Sequence, residues 1–429
     1  MRFRSALIST AALLGALVMN ASCDASAIEE PIPDDEWGTQ AVTDGNNALA
    51  INMYRELVAA GGPADNVFFS PMSITAALSL TYEGARGETM AEFEHVLGVP
   101  SDAAGDWGRP QYHRAMGGLL DSLSGDDKPY ELAVANALWG EQTLPFIPAF
   151  TQTLDAHYDA GLELVDFKGD PETQRSRING WVADRTHDRI QDVLPEGSVD
   201  GLTRLVLVNA IYFKAQWAKT FYDGATDDAP FYLLPGDADV ASVDVPLMRQ
   251  HEERFKVGSF DGYAALQMHY SEGDLSMVIL LPDDADGLAA LEAQLTPELI
   301  AQTIDGLTYE TTNIWLPKWE MTLDYDLIPA LQAMGMERAF EAGRADFTGI
   351  SDSAEGEGLY ITGAFHKAFI AVDENGTEAA AATAMIVGEL SAALPDQVID
   401  FRADHPFVYL IRDNRTGAIL FMGRVTDPS

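Results

Sequence analysis

The sequence predicts a mixed α+β fold built as one large domain, and three observations carry that expectation. The first hundred residues read as mostly helical. Several later runs read as strands buried on both faces, which helices must cover. From about Asn46 onward the two patterns alternate without a long linker, in a chain of 429 residues whose 47% hydrophobic and 22% charged content suffices for a large core.

Taken in order, Met1-Arg2-Phe3-Arg4, the apolar run Ala6 to Met19 and the small residues before Cys23 have the layout of a secretory signal over residues 1–22. The apolar run is short for a bilayer span. Cys23 is the single cysteine, placed where a bacterial lipoprotein would be cleaved and acylated, although Asn20 stands where that pattern has an aliphatic residue. A lipid tether to a membrane surface through Cys23 and plain secretion with an incidental thiol both stay open. Either puts the protein outside the cytoplasm, secreted or in the cell envelope. With no second cysteine, stability must come from packing. Residues 23–43, with Glu29-Glu30-Pro31 and Pro33-Asp34-Asp35-Glu36, read as an acidic linker, leaving 44–429 as the folded domain.

Within that domain Ala50, Ile51, Tyr54, Leu57 and Val58 form one helical face, closed by Gly61-Gly62. Ser70-Pro71 is a cap and first residue for a helix running through Ile74, Ala77, Leu78 and Thr81 to Gly84. Leu205 to Phe213, Met277 to Leu281, Ala368 to Val372, Phe407 to Ile411 and Ala418 to Met422 read as buried strands. Glu374 to Thr383, rich in alanine and threonine, reads as a strand held in reserve, because its small side chains would fit between existing strands.

The net charge of −41 argues against nucleic-acid or heparin-like partners and for a solvated acidic surface. Hydrolase chemistry finds no support. Gly-x-Ser-x-Gly is absent, and His251-Glu-Glu-Arg-Phe255 lacks the second histidine of a zinc-protease helix. His405, in Asp404-His405-Pro406, reads as a structural residue before a buried strand. The chain is therefore expected not to be an enzyme and to need no cofactor and no metal.

Several blocks together resemble the serpin family, from about Asn46 to Pro428. They are Asn66-Val-Phe-Phe-Ser-Pro-Met-Ser-Ile74, Leu205 through Trp217, Leu316-Pro-Lys318, Gly363-Ala-Phe-His-Lys367, Glu374 through Thr383, and Asp404-His-Pro-Phe407 with Phe421-Met-Gly-Arg-Val425. Each is weak alone, and their shared order makes them specific. The resemblance implies about nine helices, three sheets and an exposed reactive loop, and a suicide inhibitor of serine proteases, loop insertion in serpins being the established example of strain released by a switch.

By the same resemblance the reactive bond is the seventeenth residue counted from Glu374, giving Leu390 with Ser391 on the leaving side. Leu394 is held in reserve because the run to Pro406-Phe407 is long for the family. Leucine suits an elastase-, chymotrypsin- or subtilisin-like pocket, so the implied partner is such a protease, trapped in a covalent 1:1 complex by a monomeric inhibitor. Glu389 is a departure that narrows the target set. The hinge would comprise Glu374, Gly376, Thr377, Glu378, Ala379, Ala380, Ala381, Ala382 and Thr383, with Gly376 as a pivot needing permissive backbone angles.

Strand parity then supplies a physical condition. If Thr377 faces the core, so do Ala379, Ala381, Thr383 and Met385, all small or apolar, while Glu378 falls on the other face, in water. A charged residue in the first set would be buried unpaired and insertion would stall. Insertion of Gly376 to Leu390 would release on the order of ten kcal/mol from new ladder bonds, enough to drag an acyl-enzyme and misalign its oxyanion donors before hydrolysis.

The resemblance also places Ser70, Ser73, Asn209 and His366 in a shutter cluster beneath the point where central strands part. Trp217, Lys318 and Glu374 would guard the top of that sheet. Ala215, where the family usually has glycine, and Trp319, where it commonly has phenylalanine, are departures. The rival reading is a non-inhibitory serpin acting as a chaperone or binding protein, which would typically carry charged, bulky or proline residues in the hinge.

Overall fold

Ser70 accepts a hydrogen bond from the Ser73 amide at 3.1 Å and Pro71 fills the first turn, so a helix starts where the Ser-Pro pair predicts it. All of its residues from Pro71 to Tyr82 are buried, which makes it a core helix rather than an amphipathic surface one. The structure, a computed structural model, describes residues 36–100, 108–125, 127–158, 162–234, 242–351, 358–378 and 398–429. The signal segment 1–22, Cys23, the hinge residues Ala379, Ala380, Ala381, Ala382 and Thr383, and Leu390, Ser391 and Leu394 lie outside the described residues.

Residues Glu36–Ser429 form one compact unit. Its helices are α1 (Glu36–Ala60), α2 (Pro71–Tyr82), α3 (Gly87–Val96), α4 (Arg109–Leu123), α5 (Pro148–His157), α6 (Pro171–Arg185), α7 (Leu288–Glu292), α8 (Pro297–Gly306) and α9 (Ile328–Ala333). Its strands are β1 (Val67–Phe69), β2 (Tyr130–Glu141), β3 (Leu162–Val165), β4 (Leu205–Gln216), β5 (Asp227–Tyr232), β6 (Ser242–Phe260), β7 (Tyr263–His269), β8 (Leu275–Pro282), β9 (Thr308–Pro317), β10 (Trp319–Asp326), β11 (Gly363–Val372), β12 (Gly376–Thr377), β13 (Ile399–Arg402), β14 (Phe407–Asp413) and β15 (Ile419–Val425). Helix α1 begins at Glu36, so the end of the stretch read as an acidic linker is folded chain.

Where three sheets were expected, the described residues form two. One runs β10-β11-β12-β4-β2-β3, and the other β1-β15-β14-β8-β7-β6-β9-β13 with β5 paired to β6. The second is continuous because β6 carries its pairing with β9 through a register shift between Gln250 and Glu253, at which Glu252 adopts a φ of +54°. One long bulged strand thus joins what would otherwise be two smaller sheets.

Strand β4 shows why its sequence is apolar throughout. Leu205, Leu207, Ile211, Phe213 and Ala215 join the main core, while Val206, Val208, Ala210 and Tyr212 join a second cluster with Ile178 and Val182 of α6. Alternate residues therefore face different hydrophobic layers. Asn209 shares the parity of the first set, and α2 packs on that side.

Candidate functional site

Strands β4 and β11 run parallel and bond directly over Val206–Tyr212 and Gly363–Phe369. Beyond that stretch they part. The chain leaves β11 at Val372 and turns on Asp373, whose Oδ1 accepts from the amides of Asn375 (2.7 Å) and Gly376 (3.2 Å). It then returns as β12 between the two strands. Thr377 stands opposite Val372 on one side and Ala215 on the other, with Gly376 opposite Gln216. The segment read as a strand in reserve has thus already begun to enter the sheet.

Thr377 lies opposite Ala215, whose side chain faces the main core, and is fully buried itself, with Oγ1 2.7 Å from the Tyr270 hydroxyl. The Tyr270 ring stacks on Trp217 with centroids 4.5 Å apart. At Gly376 the reason for glycine is close approach to β4: a Cβ would sit 2.0 Å from the Ala215 carbonyl oxygen and 2.8 Å from the Gln216 Cα. The Gly376 φ of +158° is also one that side chains rarely adopt, in line with the permissive backbone angles expected from the sequence.

Glu378 takes a left-handed φ of +46° and turns to the opposite face. Water was expected to hold its charge there. Instead the carboxylate is largely covered and pairs with Arg189, whose guanidinium lies 5.5 Å from the Phe369 ring centre. Burial pushes the Glu378 carboxyl up, against the opposing pull of Arg189 and Lys214. Nothing in the local sequence marks Arg189 as this partner, because it follows α6 in a turn where His187 and Asp188 both take positive φ.

The turn itself is tied down from several sides. Lys318 Nζ donates to Glu374 Oε2 at 2.8 Å and Thr226 Oγ1 donates to Oε1 at 2.7 Å. Burial alone would raise the Glu374 carboxyl, but these two bonds outweigh it and hold the group below its ordinary range. Trp217 donates its indole N–H to the Asp373 carbonyl (3.0 Å) and its amide to that of Asn375 (2.8 Å), and the Phe221 amide reaches the Glu374 carbonyl at 2.8 Å. Trp217, Lys318 and Glu374 therefore meet around one turn.

Ser70, Ser73, Asn209 and His366 also meet. His366 and Asn209 are cross-strand partners, Asn136 on β2 is the next in that row, and Tyr325 on β10 lies on the other side. The Ser70 amide donates to His366 Nε2 at 3.1 Å, which leaves Nδ1 as the proton-bearing nitrogen bonded to Asn209 Oδ1. Asn209 Nδ2 donates to Ser73 Oγ (2.6 Å) and Asn136 Oδ1 (2.5 Å), and Ser73 Oγ donates to the same Asn136 oxygen at 3.0 Å. Complete burial drives the His366 pKa down to about 3, so the ring is neutral. Asn136 was missed in the sequence, although it interrupts the apolar run Ala133 to Leu138 just as Asn209 interrupts its own.

The two departures are accommodated. Ala215 is buried opposite Thr377, and Trp319 packs edge-on to Phe407 and Tyr409, with centroids 5.8 and 5.4 Å away.

A seeded central sheet above a polar row can be set beside known proteins. Residues 44–428 match the family described as Serpin (serine protease inhibitor). The chain belongs to the serpin family. It is similar to Serpin B8 of Homo sapiens, 38% identical over 90% of this chain and 99% of that one, and to the leukocyte elastase inhibitor of Equus caballus, 35% identical over 91% and 100%. Among solved structures it is similar to Arabidopsis AtSerpin1 in its native stressed conformation, with a TM-score of 0.79, 30% identity and coverage of 91% and 98%. The serpin fold, with nine α-helices among the described residues, agrees with the expectation from sequence. The family is one of protease inhibitors rather than proteases.

Proposed function

We propose that this serpin is an irreversible suicide inhibitor of serine proteases with apolar primary specificity, of elastase, chymotrypsin or subtilisin type. The observation that carries the reading is the seating of Gly376–Thr377 between β4 and β11 with Thr377 on the core side. Continuing the same parity, Ala379, Ala381, Thr383 and Met385 can follow without burying a charge.

The sequence of events is set by chemistry and topology. The protease serine attacks Leu390, the bond to Ser391 breaks, and an ester joins enzyme to inhibitor. The freed strand then extends β12 by parting β4 from β11, which requires the His366–Asn209 bond to open. The ester is carried along and the protease oxyanion donors lose alignment. Ser70, Ser73, Asn209 and His366 act as the shutter in this scheme, and Trp217, Lys318 and Glu374 hold the turn from which insertion proceeds. The inhibitor works as a monomer outside the cytoplasm, after removal of residues 1–22, either tethered through an acylated Cys23 or secreted with that thiol free.

Incubation with a panel of such proteases is the test. An SDS-stable 1:1 complex and a released fragment beginning at Ser391 are expected, and a fragment beginning at Pro395 moves the reactive residue to Leu394. Cleavage without any complex overturns inhibition in favour of a binding or chaperone role. Mass spectrometry of the mature amino terminus decides the tether, since a free Cys23 thiol would rule out acylation.

A further inference from the structure

Among the described residues β13 is a four-residue edge strand bonded to β9 alone, and it is the first described strand after the segment that carries Leu390. Its last residue, Arg402, lies 5.6 Å from the Trp315 ring centre and donates from Nε to Asp404 Oδ2 at 2.5 Å. Asp404 Oδ1 is 3.1 Å from His405 Nδ1, and His405 Nε2 is 2.8 Å from the carbonyl oxygen of Pro282, the last residue of β8. The chain Arg402, Asp404, His405, Pro282 thus straps an edge strand to the interior of the sheet.

Each nitrogen of the His405 ring faces an oxygen that can only accept. A backbone carbonyl has no proton to give, and neither has an ionised carboxylate. Only the imidazolium, with N–H on both nitrogens, satisfies both. Asp404 stays ionised: burial would raise its carboxyl, but the bonds from His405 and Arg402 outweigh burial and hold it low. Among the described residues the charged groups facing the ring are Asp404 beside it and Arg402 behind Asp404. β8 presents the Pro282 carbonyl, β5 sends its Tyr232 amide to the Asp404 carbonyl at 2.7 Å, and β14 begins with the apolar Phe407.

We propose that protonated His405 pins β13 to the end of β8, and that loss of its proton loosens this strand, so that the anchorage behind the reactive segment depends on pH. When either nitrogen loses its proton, a lone pair meets an oxygen lone pair and an attraction becomes a repulsion. Burial lowers the ring pKa, yet the Asp404 and Pro282 oxygens outweigh it and the net shift is upward. The anchor is therefore complete below about pH 6.5 and lost as pH rises through the raised value.

The consequence rests on the inhibitor reading. An uncut chain can send more strand into the sheet only by drawing in residues on the carboxy-terminal side of the reactive segment, and β13 comes first among them. A looser β13 lets the intact protein fall into an inserted, inactive arrangement sooner.

Hydrogen exchange of the full chain from pH 6 to 9, with labelling times scaled for intrinsic rates, reads the anchor without any protease. Wild-type peptides covering 398–404 should lose protection roughly tenfold in a one-proton step. His405→Gln should be weakly protected at every pH and His405→Arg strongly protected at every pH. A flat wild-type profile, or the same step in His405→Gln, overturns the proposal. The half-life of inhibitory activity should shorten over the same step in wild type only, and a constant half-life removes the link to inactivation. Absence of inhibition at every pH with the exchange step intact counts against the inhibitor reading, not against the anchor.

Discussion

The seam between β4 and β11 is built differently at its two ends. Over Val206–Tyr212 the strands bond directly, and a polar row of Tyr325, His366, Asn209 and Asn136 crosses four strands against α2. Over Ala215–Gln216 they are held apart by Gly376–Thr377. The closed part relies on a few geometry-specific hydrogen bonds set in an apolar core, and the open part already presents a template edge. Such a seam can admit a strand by exchanging bonds along one line while the two hydrophobic layers stay packed. On the proposed function this seam would act as a kinetic trap, with the lower-energy arrangement one strand away and the polar row in its path.

The largest consequence concerns the whole seam. If cutting the reactive segment lets β12 extend to full length, the gain of ladder bonds on the order of ten kcal/mol should raise the melting temperature by roughly 20 °C. Calorimetry before and after limited proteolysis measures it. Equal melting temperatures would mean that the open end of the seam is a fixed feature and not a beginning.

Next in size is the first buried hinge position. Thr377→Arg would bury a guanidinium beside Tyr270 with no acid to meet it, a cost of several kcal/mol. The seeded strand should be expelled and the protein should become a substrate, cleaved without trapping the protease. Stoichiometry of inhibition is the readout, and an unchanged value would contradict the parity read from the Thr377–Ala215 register.

The closed end gives the third. Asn209→Ala would leave His366 Nδ1–H, Ser73 Oγ and Asn136 Oδ1 short of partners, which should destabilise the protein by roughly 2–4 kcal/mol in urea unfolding. A pH series sharpens it. The folded pKa of His366 is depressed to about 3, so its contribution is complete above about pH 6.5 and lost as pH falls, at about 1.4 kcal/mol per unit until the folded value is reached. His366→Gln should remove that slope. The sign is opposite to that of His405, because one ring is buried without a charge and the other is built around two acceptors.

Much of this seam could be read in the chain before folding. The β4 run, the Ser70-Pro71 cap and the alternation around Thr377 are local patterns, and local patterns survive folding when both faces of a strand are buried. The polar row was half legible: Asn209 and His366 stood out against apolar strands, and Asn136 carried the same signal unnoticed. The fused sheet was not legible, since nothing near Glu252 announces a strand that continues through a bulge. Nor was the α1 start, hidden by the acidic run before it. How far the hinge enters the sheet was not legible, since composition reports only that its small side chains are compatible with entry, while the structure seats Gly376–Thr377 between β11 and β4. Arg189 reaches Glu378 from a turn far along the chain, a long-range contact with no periodic trace.

The smallest thermodynamic effect belongs to the pair at the open end. Lys318 is 37% exposed and Glu374 9%, and a pair so placed contributes about 1 kcal/mol or less. Glu374 keeps Thr226 on its carboxylate, and its carbonyl keeps the Phe221 amide, when Lys318 is gone. Lys318→Met should therefore leave the urea midpoint nearly unchanged. The same turn must move, however, if the strand is to extend, and a restraint of that size removed before the barrier speeds the step about fivefold. Trp217 reports on it directly, because its indole stacks on Tyr270 and bonds the Asp373 carbonyl at 3.0 Å. Stopped-flow fluorescence after cleavage should thus show faster insertion in Lys318→Met at equal stability, whereas equal rates would mean that the bonds left in place, from Trp217, Phe221 and Thr226, suffice to hold the turn.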